Sequence, residues 1–171
     1  LAEVDIPDSV ITIDKGAFSF CSSLTSVRIG DNVRTIGEEA FANTSLAEVD
    51  IPDSVITISP FAFFLCSSLT SVKIGNKVEI IFWGAFKECK NLTNVTIGDK
   101  VETIYDEAFA YTSLTQVIIP DSVITIGDWV FLSTDLTEVV IPDSVITIGD
   151  SAFHDIETLT DVTIGKNVET I

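Results

Sequence analysis

The chain has 171 residues, 46% of them hydrophobic, enough to bury a sizeable core in one domain. Its 26 acidic residues against 9 Lys and Arg leave a formal net charge of −17, so nucleic acid phosphates and anionic bilayers would repel it. No run of 18 apolar residues offers a membrane span, and an odd count of 3 cysteines is not a disulfide framework.

From the first residue the sequence repeats. IPDSVITI stands at 6–13 and returns at 51–58, 119–126 and 141–148. Leu recurs at 1, 24, 46, 69, 92, 114, 136 and 159, in steps of 22 or 23 residues. Each Leu opens the pattern L-x-x-V-x-I-(P/G)-x-x-V-x-x-I-x-x-x-A-F, with Phe at 18, 41, 63, 86, 109, 131 and 153. The range 1–171 therefore reads as one array of seven full repeats and a partial eighth, with no linker or domain boundary. A period of this length predicts a solenoid.

Within a repeat, V-x-I alternates, so Val4 and Ile6 and their counterparts should point inward from a short strand. Pro or Gly ends that strand, and Asp and Ser favour a turn. V-I-T-I is β-branched and predicts a second short strand. The stretch that follows, such as Gly149–Phe153, suits a single helical turn. One repeat cannot bury its own apolar face, but rungs stacked at ~4.8 Å merge their Leu, Val, Ile and Phe columns into a core.

The recurring L-x-x-V-x-I-P-x-S-V-x-x-I-G-x-x-A-F-x-x-C resembles the BspA-like (Treponema-type) leucine-rich repeat along the whole chain. The resemblance implies a leucine-rich repeat solenoid, a right-handed curved superhelix with a parallel concave sheet. It also implies a secreted or cell-surface location and a role in adhesion or protein binding. The family's Cys is kept at Cys21, Cys66 and Cys89 but replaced by Thr44, Thr112, Thr134 and Ile156. The array opens at the first column and stops in mid-repeat without polar caps. Further repeats on either side, or stacking on other copies, are the two expectations.

The residues offer little chemistry. The single histidine, His154, should face solvent, and no nucleophile–His–carboxylate set can form around it, so no enzyme is expected. Cys66 and Cys89 share a column on adjacent rungs, ~5 Å apart and within disulfide reach. They should point the same way, as buried thiols. The residue after Pro or Gly is Asp8, Asp31, Asp53, Asn76, Asp99, Asp121, Asp143 and Lys166. Each Asp should cap its own turn. Calcium between rungs is the alternative, which Lys77 and Lys100 in the adjoining column oppose. No cofactor is expected.

Function is therefore sought in the irregular outward columns. On the first strands these include Arg28, Glu48, Asp50 and Lys73, then Gln116 with Ile118 and Glu138 with Val140, an apolar spot with a polar rim. After the second strands, Phe61, Phe82, Trp83, Tyr105 and Trp129 replace mostly polar residues and form an aromatic-rich group. The leading expectation is a surface binding or adhesion module for a protein partner. A structural protein that self-associates through its ends or its aromatic patch is the other.

Overall fold

The computed structural model describes residues 2–171; Leu1, the first of the Leu column, lies outside them. The described chain winds as a parallel β-solenoid. Three-residue strands are β1 (Glu3–Asp5), β3 (Ser26–Arg28), β5 (Glu48–Asp50), β7 (Ser71–Lys73), β9 (Asn94–Thr96), β12 (Glu138–Val140) and β14 (Asp161–Thr163). Two-residue strands are β2 (Thr12–Ile13), β4 (Thr35–Ile36), β6 (Thr57–Ile58), β8 (Ile80–Ile81), β10 (Thr103–Ile104), β11 (Thr125–Ile126) and β13 (Thr147–Ile148).

The two-residue strands make one unbroken seven-stranded parallel sheet from β2 to β13. The three-residue strands carry the longer sequence signal yet form three separate pieces, β1-β3, β5-β7-β9 and β12-β14. In-register pairs such as Val4↔Val27 and Val49↔Val72 place column mates one above another. Period-2 alternation decides what they bury: Val49 and Ile51 are inside, while Glu48 and Asp50 are exposed.

The core is made of those columns. Leu46, Leu69, Val78, Ile81, Phe63 and Phe86 are fully buried. The Phe rings form a continuous stack from Phe18 to Phe153, with centroids 5.3–5.8 Å apart and planes within 16° of parallel. That spacing is about one rung, with the rings offset, the arrangement the ring quadrupoles prefer.

The third side corrects the expected helical turn: no helix forms among the described residues. Alternate amides pair with the next rung and those between them close turns on residue i−3, as Phe64 N–H does on the Phe61 carbonyl at 3.0 Å; none continues as an i−4 ladder. Phe63 N–H donates to the Ala85 carbonyl at 2.8 Å, Phe61 to Trp83 at 2.9 Å and Leu65 to Lys87 at 3.0 Å. Each full rung carries two left-handed residues four apart, for example Phe61 at φ 57° and Leu65 at 58°, which no helix accommodates.

Candidate functional site

The breaks in the first ladder follow the repeat length. Where one Leu follows another by 23 residues (1 to 24, 46 to 69, 69 to 92, 136 to 159), the strands pair. Where the step is 22 (24 to 46, 92 to 114, 114 to 136), they do not. The missing residue lies just before Leu. In long rungs Cys66-Ser67-Ser68-Leu69 closes a turn, with Leu69 N–H on the Cys66 carbonyl at 3.0 Å; Cys21, Cys89 and Ile156 head the same turn. Short rungs lack it and carry Thr at that column. The hydroxyls of Thr44, Thr112 and Thr134 donate to the carbonyls of Phe41, Phe109 and Phe131 at 2.9, 2.8 and 3.0 Å. One residue fewer shortens the connector by ~3.3–3.6 Å; Ala47 and Thr137 N–H still reach the Thr25 and Thr115 carbonyls at 3.2 Å, but the strand residues that follow do not pair with the preceding rung.

Two further sets of bonds fail at the same three joints. At closed joints Ile6, Ile51, Ile74 and Ile141 N–H groups donate to Arg28, Lys73, Thr96 and Thr163 carbonyls. Among the described residues the equivalent Ile29, Ile97 and Ile119 amides make no such bond. Asp8, Asp53 and Asp143 carboxylates accept the N–H of Asp31, Asn76 and Lys166 on the next rung at 3.0, 2.8 and 2.9 Å. This revises the Asp column: the carboxylate caps its neighbour rung, not its own turn. Asp31, Asp99 and Asp121, at the open joints, accept no equivalent bond among the described residues.

Each open joint is a cleft. The joint after rung two holds about 540 Å³ between Arg28, Asp31, Asp50, Asp53 and Lys73. Those after rungs five and six hold about 600 and 520 Å³ and flank Gln116–Ile118 on both sides. Gln116–Ile118 is thus paired with neither neighbouring first strand, and Ile118 stands 84% exposed beside Val140 at 60%. Gln116 and Glu138 line the same cleft as Ile118 and Val140.

The other candidates are placed less freely. Arg28 is spent on Asp5 at 2.7 Å and Asp8 at 3.3 Å, and Lys73 on Asp50 at 3.4 Å. The Asp31 amide, together with Arg28, holds the Asp8 carboxyl below its ordinary pKa. Phe82 stacks on Tyr105 at 5.5 Å, and Trp83 meets the Tyr105 ring edge-on at 5.6 Å. Phe61 lies against Gly84, where an added Cβ would collide with its ring. These rings largely cover one another; Trp83 and Trp129 stay about half exposed around a shallow depression with Asp106 and Glu107. His154 is exposed, and its amide donates to the Ser151 carbonyl.

Two overlapping matches to the model of the BspA type leucine rich repeat region cover residues 1–114 and 102–171, with 6 copies. The chain belongs to the BspA-type leucine-rich repeat family. A leucine rich cell surface protein of Faecalibacterium prausnitzii matches 98% of this chain with 28% identity and a TM-score of 0.70. A leucine-rich repeat protein of Treponema pallidum matches 68% of this chain and 69% of its own, with 26% identity and a TM-score of 0.64. One from Bacteroides ovatus, at 24% identity and a TM-score of 0.57, shares the fold. This chain spans 62% of the length of the Faecalibacterium protein and 62% of the Bacteroides one. A search among curated proteins finds no match.

In this BspA-type array the family's Cys column serves the turns. Cys66 and Cys89 are buried free thiols whose Sγ atoms donate to the Phe41 and Phe63 carbonyls one rung back, each at 3.1 Å. Burial pushes the Cys89 thiol well above its ordinary pKa, which keeps it protonated as that donor. Sequence reasoning recorded the Thr substitutions and the 22-residue steps without connecting them. Their coincidence at the same three repeats was the signal for the clefts.

Proposed function

We propose that this chain is a non-enzymatic, extracellular or cell-surface binding module that holds a protein partner across rungs five to seven. The observation that carries the reading is rung six itself. Gln116–Ile118 is unpaired on both sides, is flanked by two clefts, and presents Ile118 at 84% exposure beside Val140. Exposed apolar area with a polar rim is the usual make-up of a contact surface. The Faecalibacterium relative is described as a cell surface protein, which supports the location. The lone histidine, His154, is exposed, which supports a non-catalytic role.

The test is site-specific photocrosslinking. A photoreactive phenylalanine at position 118 should give a discrete adduct with a protein of the surrounding surface or medium. The same group at Glu79, on the second-strand side, should not. Ile118→Asp with Val140→Asp, introduced into competing unlabelled protein, should abolish competition. Indistinguishable adducts from both positions would defeat the reading.

A second reading, self-association through Trp83 and Trp129, has their shared exposed depression in its favour. Sedimentation at rising concentration, with Trp83→Ala and Trp129→Ala as the control, tests it.

A further inference from the structure

We propose that the two clefts flanking rung six receive cationic side chains from an extended, basic segment of the protein partner. This rests on the reading of rungs five to seven as a binding surface and adds the chemistry of what binds there. The cleft after rung five is lined by Asp99 and Asp121, that after rung six by Asp121 and Glu138. Neither lining includes a Lys or Arg. The cleft after rung two is built the same way but lined by Arg28 and Lys73, already paired with Asp5 and Asp50. The two rung-six clefts are therefore the open joints whose lining carboxylates form no ion pair among the described residues, Lys100 beside Asp99 standing outside both linings.

Their acceptors are more than carboxylates. In the register of the closed joints, Ile97 N–H would meet the Ile118 carbonyl, and Ile119 N–H the Val140 carbonyl. In the open joints these carbonyls receive no hydrogen bond from the described residues. Nor do the side-chain oxygens of Asp99, Asp121 and Glu138. A guanidinium or ammonium group satisfies carboxylate and carbonyl oxygens together through charge-assisted hydrogen bonds. No group of three His, Cys, Asp or Glu side chains converges on one point among the described residues, which disfavours a metal held by side chains. Instead the acceptors are spread to either side of Ile118, a layout suited to charges spaced along a chain with an apolar residue between them. An extended segment with alternating basic and apolar residues supplies both, and opposite potentials select it over others.

The experiment uses the whole chain and fluorescence anisotropy with labelled, end-blocked hexapeptides, Arg-Val repeated three times and Glu-Val repeated three times. The Arg peptide should bind, and the Glu peptide should bind at least about tenfold more weakly. Asp99→Asn with Asp121→Asn should weaken the Arg peptide about fivefold or more. Glu79→Gln with Glu102→Gln removes the same charge from the second-strand side and should change binding less than about twofold. Both double variants are checked for wild-type circular dichroism. Equal weakening by the two pairs would mean diffuse attraction to an acidic protein, and the proposal would fall. It would also fall if neither peptide bound. If the position-118 adduct forms as well with Asp99→Asn and Asp121→Asn as without them, the surface stands and the basic occupant does not.

Discussion

Ser151 sits at φ 55° on the outside of its turn, one of 12 non-glycine residues held in the left-handed region. Each L side chain there is strained against its own backbone. Glycine removes the strain but adds freedom to the unfolded chain, so Ser151→Gly should raise stability by about 0.5–1 kcal/mol in urea unfolding. Asp143 illustrates the charged residues. The Lys166 ammonium and then the Lys166 amide hold its carboxyl below the ordinary value of 3.8. Its contribution is thus complete above that value and is lost as pH falls through the lower folded one. Asp143→Asn keeps an oxygen for the amide, as Asn76 does for Asp99, but removes the charge. The difference in Tm between wild type and variant should be constant near neutral pH and shrink below about pH 4, by scanning calorimetry. Residue chemistry was partly legible in advance. The columns told which side chains are buried, whereas positive φ at Phe61 and Trp129 was hidden, because neither is a residue that announces a left-handed turn.

Among elements, the informative unit is the connector before each Leu. Thr112-Ser113 and Cys89-Lys90-Asn91 differ by one residue, and the first-strand ladder opens after one and closes after the other. Restoring length should restore pairing. A variant with Thr112→Cys and one Ser inserted after Ser113 should turn 116–118 into a strand paired with β9. The amide of Ile97 should then exchange at least about tenfold more slowly by NMR, as Ile74 does at its closed joint. Unchanged exchange would mean that length is not the cause. The second ladder should be indifferent to the insertion, because its strands lie after the turn that resets each rung. The expected helical turn failed at this scale too. Periodicity marked Ala and Phe as buried, but it does not tell an i−4 partner from one a rung away.

The described molecule is a one-dimensional stack in which backbone bonds on two sides run from each rung to the next, joined at the closed joints by the first-strand ladder. Like charges stack with the same period, and the chain carries −17 overall. Mutual repulsion along such a column opposes compaction, and salt screens it within a Debye length of ~8–10 Å at physiological ionic strength. Raising NaCl from about 10 mM to about 300 mM should therefore increase Tm, measured by circular dichroism; a decrease would show that the inter-rung ion pairs such as Lys166–Asp143 dominate instead.

The 22–23-residue beat, its inward Leu, Val, Ile and Phe, and the exposure of Ile118 and Val140 were all decided by the sequence alone, since stacking identical rungs leaves alternation only one buried side. Where the first ladder parts was decided only in three dimensions. Whether a shortened connector breaks a strand pair depends on how far the chain must travel to the next rung, a distance set by the other two faces holding those rungs together.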